Sequence, residues 1–136
     1  MSEITIARLE PCARSLLRII VGFTFSLHGF QKLFGLFGGM GGSGAKAVFL
    51  SLPWAAGFLE ALGGLLIILG FLTRPTAFIL SGEMAVAYFM VHFPRGFWPL
   101  RNGGELAVLY CFVYLYLAAA GPGPWSVGHL LRKRPE

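Results

Sequence analysis

Three of the six acids in this 136-residue sequence, Glu60, Glu83 and Glu105, fall within or at the edge of long apolar runs, and all six are glutamates. A charged side chain at the centre of a bilayer costs roughly 2.5–3.5 kcal/mol on the insertion scale, so such residues face protein and find partners. His28, Lys32, His92 and Asn102 stand in or beside the same runs. Two imidazoles, an ammonium, an amide and several carboxylates can bind a polar ligand or move a proton. They can equally form the hydrogen bonds and ion pairs that fix helix packing. Imidazole and carboxylate suit iron, zinc or copper, but no pair has the Glu-x-x-His spacing of di-iron bundles, so no metal site is assigned. Cys12 and Cys111 form no C-x-x-C, which argues against dithiol chemistry of that kind. Cys12 falls near one face of the bilayer and Cys111 inside a span, so a disulfide is not expected and Cys111 reads as an inert thiol.

The elements that must position these groups are legible from composition. Hydrophobic residues make up 56% of the chain and charged residues 12%, with a mean hydropathy of +0.71. Soluble domains carry about 25% charged residues, so the expected solvent is a lipid bilayer. Four apolar segments, 15–33, 54–72, 75–93 and 105–121, are each long enough to cross most of a ~30 Å hydrocarbon core as helix. The fold class that follows is an all-α membrane protein, a single four-transmembrane-helix bundle over 1–136 with both termini cytoplasmic. Pro53 and Pro75 suit helix starts, and Pro122 and Pro124 suit a stop after the fourth segment. No cleavage site follows a short apolar region near Met1, so a removable signal peptide is not expected.

Connections and charges refine the topology. Segment 35–53 is glycine-rich and reads as a flexible extramembrane loop, with a lid over a membrane pocket as the sharper alternative. The link at Thr73–Arg74 is short enough to require an antiparallel hairpin of the second and third helices. Phe97 and Trp98, in the 94–104 connection, suit an interfacial anchor. Arg8, Arg14, Arg18, Arg74, Arg132, Lys133 and Arg134 fall on the side of the termini, against Lys32, Lys46, Arg95 and Arg101 on the other. Seven against four places the termini inside, in a multi-pass protein of the cell inner (cytoplasmic) membrane. The net charge of +5 is scattered, with no basic stripe interleaved with aromatics, so nucleic acid is not an expected partner.

Helical periodicity then assigns faces. At about 100° per residue, Glu60 shares its face with Gly57, Gly63 and Gly64, the small-residue face on which helices approach closely. Arg14, Thr24, His28, Gln31 and Lys32 share a stripe with Arg18 at its margin, and the two arginines read as snorkelling anchors. Glu83 falls near mid-membrane with Thr76, Ala87 and Met90. Counting from the helix ends puts His28, Lys32, Glu60, His92, Asn102 and Glu105 in the outer half. The tyrosines and phenylalanines read mainly as packing or lipid-facing residues. A weak internal repeat is visible: the first and third helices carry a late histidine, the second and fourth an early glutamate.

The polar residues sit in phrases that resemble the DoxX family of small bacterial membrane proteins. These are RIIVGFTFSLHGFQKLFG from Arg18, FLEALGGLLIILGFLTR from Phe58, HFPRGFW from His92, NGGELA from Asn102 and AGPGPWS from Ala120. Their order along nearly the whole chain carries the resemblance. It implies that His28, Lys32, Glu60, Arg74, Asn102 and Glu105 occupy the family's recurrent polar positions. It also implies a link to membrane redox chemistry, since some members are subunits of thiosulfate:quinone oxidoreductases and others associate with thiol- or superoxide-handling proteins. Three functions are compatible with the residues. One is a redox-associated, quinone-linked subunit, with a polar pocket in the outer half of the bundle and a soluble redox partner protein. The second is a non-catalytic assembly or scaffold subunit. The third is a small carrier or proton pathway centred on Glu83, which in so narrow a bundle requires a homo-oligomer.

Overall fold

The computed structural model describes residues 3–132, with side chains from Ile6 onward, and every regular element in it is helical. Lys133, Arg134 and Glu136 lie outside the described residues. The helices are α1 (Glu3–Phe34), α2 (Leu52–Leu69), α3 (Thr73–Ala87), α4 (Pro99–Asn102), α5 (Glu105–Ala120) and α6 (Val127–Arg132). A π-helical turn (Tyr88–His92) and a 3-10 turn (Phe93–Arg95) prolong α3. Two stretches, Leu52–Leu69 and Thr73–Arg95, are long and apolar enough to cross a membrane, while α5 is a shorter apolar helix. The described residues divide into two compact units, one formed by the chain up to Thr73 together with the segment from Pro122 onward, the other from Arg74–Gly121.

Boundaries depart from the sequence expectation in informative places. The α1 helix starts twelve residues before the apolar segment and carries Pro11 inside it. A proline costs the helix one backbone donor. Around it, Ser15 Oγ donates to the Pro11 carbonyl at 3.0 Å, and Arg14 pairs with Glu10 one turn back at 3.3 Å. The link after α2 shifts as well. Gly70 closes α2 at φ +68°, with its N–H on the Ile67 carbonyl and the Phe71 N–H on Leu66, a left-handed cap that glycine enters without steric cost. Only Phe71 and Leu72 then separate it from α3. At the other end, Ser51 Oγ accepts from the Trp54 N–H at 3.3 Å and Pro53 sits in the first turn, as helix starts favour.

In the first unit, α1 and α2 pack antiparallel through small residues at i, i+4, i+7 spacing: Gly22, Ser26 and Gly29 against Gly57, Ala61 and Gly64. A Cβ on Gly22 would lie 2.9 Å from the Gly64 carbonyl oxygen, and one on Gly64 would lie 2.8 Å from Ser26 Cβ. At Gly29 the Ala61 backbone is nearer still. Backbones this close gain dispersion along their whole length, which is how helices associate where lipid removes the hydrophobic drive. The buried stripe of α1 runs Ser15, Arg18, Gly22, Phe25, Ser26 and Gly29.

The second unit is an antiparallel pair of α3 and α5. Ser81 Oγ donates to the Cys111 carbonyl at 2.8 Å. The Arg74 guanidinium donates to the Ala118 carbonyl at 3.1 Å and to that of Ala119, meeting the negative end of α5. Large apolar side chains stand outward on these helices: Phe78, Leu109 and Phe112 are each more than 60% exposed. Cys12 and Cys111 are free and partly buried, and Cys111 Sγ lies 3.6 Å from Ser81 Oγ.

Candidate functional site

The first unit holds a buried ion pair. Lys32, in the last turn of α1, places Nζ 2.5 Å from Glu60 Oε1 of α2. Glu60 is 3% exposed, and the sequence reading that turned it toward protein holds. Gly57, one turn before it, lets Lys32 reach the carboxylate: a Cβ there would lie 2.8 Å from Lys32 Cβ. The lysine stem therefore crosses α2 over bare backbone. The second carboxylate oxygen, Oε2, is shielded and has no hydrogen-bond partner among the described residues. His28 is half-buried on α1, one turn before Lys32. The Ala47 N–H, from the glycine-rich connection, donates to the Lys32 carbonyl at 2.8 Å and fixes the lysine backbone.

The second unit holds a different polar centre. Asn102, 2% exposed, closes α4 and uses its whole amide. Nδ2 donates to the Gly96 carbonyl at 2.7 Å and to the Tyr88 hydroxyl at 3.2 Å, while Oδ1 accepts from the Gly104 N–H at 2.8 Å. The Tyr88 hydroxyl donates to the Phe97 carbonyl. His92 Nδ1 lies 3.2 Å from the Asn102 carbonyl oxygen. That oxygen can only accept, so Nδ1 is the donor in this contact. The π-helical turn from Tyr88 to His92 widens the helix where these side chains leave it. This centre orders the 93–104 connection.

The remaining candidates stand apart from these contacts. Glu105 is exposed in the first turn of α5, where a carboxylate complements the positive helix end. Glu83 is half-buried on α3 with both carboxylate oxygens shielded. No group of three or more metal-ligating His, Cys, Asp or Glu side chains occurs among the described residues.

Arg18 departs most from the sequence reading. It does not snorkel: it is 0% exposed. Nε donates to the Pro122 carbonyl at 2.8 Å, Nη1 to Ile68 at 2.5 Å and to Ile67, and Nη2 to Trp125. The guanidinium thus satisfies the C-terminal carbonyls of α2 and pins the 122–125 segment against α1. Ser15 Oγ adds a bond from the Trp125 N–H at 3.3 Å. A planar fork with five donors fits such a carbonyl cluster, where a lysine point charge would not. The signal was present in sequence, because Arg18 keeps heptad spacing with Ser15, Gly22, Phe25 and Gly29. Acceptors that are backbone atoms of distant segments leave no mark in residue types.

Comparison with known proteins identifies the family. The chain matches the DoxX family model over residues 13–93. A Haemophilus influenzae protein described as uncharacterized is 41% identical over 134 residues, covering 93% of this chain and 96% of its own length. The inner membrane protein YqjF of Escherichia coli is 33% identical over 132 residues, covering 93% of this chain and 98% of its own. No solved structure matches. With the family pattern spanning most of α1 to α3 and full-length relatives at these identities, the chain belongs to the DoxX family.

Proposed function

We propose that the chain is a multi-pass protein of the cell inner membrane, crossing it four times through α1, α2, α3 and α5 with both termini in the cytoplasm. The apolar outward faces, the two helices of spanning length and the inner-membrane relative support this reading. The excess of Lys and Arg on the side of the termini supports the orientation. Reporter fusions at residue 136 and within 40–45 should report opposite sides, the first cytoplasmic.

Within that frame, the Lys32–Glu60 pair is the ligand-holding element of a redox-associated, quinone-linked subunit. The observation that carries this is the shielded Glu60 Oε2, an acceptor with no protein donor among the described residues, beside an ammonium. The donor set fits a quinone: Lys32 Nζ can donate to a ring carbonyl, and Glu60 Oε2 can accept from a ring hydroxyl. When bound, a quinone supplies two-electron, two-proton redox chemistry. The chain's own residues orient the ring and hold a proton at Glu60 Oε2, with electrons exchanged through a soluble partner protein. Chromatography of lipids extracted from natively purified protein, followed by titration with a short-chain quinone, tests this. Neither co-purified quinone nor saturable binding sensitive to Glu60→Gln would remove the reading.

A second reading is favoured by the direct 2.5 Å contact, which already partners each charge. On it the chain is an assembly subunit, and Glu60→Gln lowers complex yield with no ligand-linked effect.

A further inference from the structure

The α1–α2 connection exposes a run of large apolar side chains, although it is too rich in turns to be a span. Leu36, Phe37, Val48, Phe49, Leu50 and Leu52 are 48–76% exposed. In water such a patch is costly and rare on a monomer. The connection is also built rather than slack. Met40 and Ala45 form an antiparallel bridge, Gly44 N–H donates to the Gly38 carbonyl at 2.7 Å, and Ala47 N–H donates to Lys32. Phe37 and Leu50 hold φ of +53° and +61°, left-handed backbone that bulky side chains rarely adopt. Strain at two exposed apolar residues, inside a hydrogen-bonded loop, presents those side chains outward together.

We propose that residues 47–52, with Leu36 and Phe37, form an elbow inserted into the interfacial region of the leaflet where α1 ends and α2 begins. This goes beyond the ligand reading and rests only on the proposal that α1 and α2 span the membrane. The occupant is lipid, for three reasons. The exposed run passes without a break into the exposed apolar face of α2 at Leu52, Phe58, Leu59 and Leu62. Trp54 sits at the junction, stacked on Phe58 and edge-on to Phe49, as in an interfacial aromatic belt. The 35–53 connection has no carboxylate, and its single charge, Lys46, suits a phosphate headgroup. The glycine turn at 41–44, with Ser43 at its tip, faces water. Because Ala47 is bonded to the Lys32 carbonyl, the elbow also ties the depth of the loop to the residue that carries the ion pair.

Spin labels decide the matter in dilute lipid nanodiscs. Single cysteines replace Ser43, Val48, Phe49 or Leu62 in full-length protein with Cys12→Ser and Cys111→Ser, each checked for a monodisperse profile. Collision with oxygen, enriched in lipid, is compared with collision with a water-soluble nickel chelate. The expected result is oxygen-dominated relaxation at 48, 49 and 62, with nickel-dominated relaxation at 43. Nickel dominance at 48 and 49, with 62 still in lipid, overturns the elbow alone. Nickel dominance at 62 overturns the spanning helices as well. Exclusion of both reagents at 48 and 49 that lifts on dilution in lipid means a second copy covers the run, and also overturns the elbow.

Discussion

Replacing Arg18 with methionine keeps an unbranched apolar stem and deletes every donor beyond it. Four carbonyls lose a bond, at Ile67, Ile68, Pro122 and Trp125. Ile67 keeps the Gly70 N–H at 3.1 Å, which leaves three that depend on the guanidinium or on water. Stranding a buried acceptor costs about 1–3 kcal/mol. Water can reach the end of α2 once the head group is gone, so the lower part of that range applies, for a total of about 3–5 kcal/mol. At roughly 3–5 °C per kcal/mol for a chain of this size, the thermal midpoint in detergent should fall by about 10–20 °C. Residues 122–132 should become the first site of limited proteolysis. Arg18→Lys restores a charge but no fork, and should recover less than half the loss. A methionine variant within about 1 kcal/mol of wild type, measured by unfolding in mixed micelles, would refute the load placed on this side chain.

Other expectations can be checked with the same preparations. Lys32→Met leaves the Glu60 carboxylate buried without a counter-ion and should destabilise by about 3–5 kcal/mol, whereas Lys32→Met with Glu60→Gln should recover much of it. Additive losses in that double-mutant cycle would count against the pair. Gly29→Val forces a branched side chain into the Ala61 backbone and should abolish α1–α2 packing, read as loss of a folded peak on size exclusion; Gly82→Val, where a Cβ meets open space, should be tolerated. Asn102→Leu removes three hydrogen bonds and should cost about 2–4 kcal/mol, with increased hydrogen exchange across 93–104. Tyr88→Phe, which loses only the hydroxyl, should fall between Asn102→Leu and wild type.

The features that sequence exposed are those whose cause is local. Glu60 was placed on the protein-facing side because Gly57, Gly63 and Gly64 share its face. Pro53 marks the start of α2. The role of Arg18 was hidden because its partners are carbonyls 49 to 107 residues away, and backbone atoms carry no residue identity. Asn102 stands out in sequence as a polar residue, but its partners, the Gly96 carbonyl and the Tyr88 hydroxyl, arise from a loop path and a π-helical turn that no periodicity announces. The glycines of the α1–α2 connection suggest flexibility, yet bridge and turn bonds order it. The repeat suggested by His28 and His92 has a firmer counterpart at the opposite helix ends. Arg18 meets the last carbonyls of α2, and Arg74 meets those of α5.

The arginine at the end of α2 also imposes an order on synthesis. Arg18 leaves the ribosome long before Pro122 and Trp125, the acceptors 104 and 107 positions later. Until they arrive, α1 and α2 can pair through their glycines, but the guanidinium lacks two of its four acceptors. Its burial is therefore completed only once residues 122–125 have been made. A chain cut before residue 122 would leave the Arg18 guanidinium without the Pro122 and Trp125 carbonyls that complete its shell.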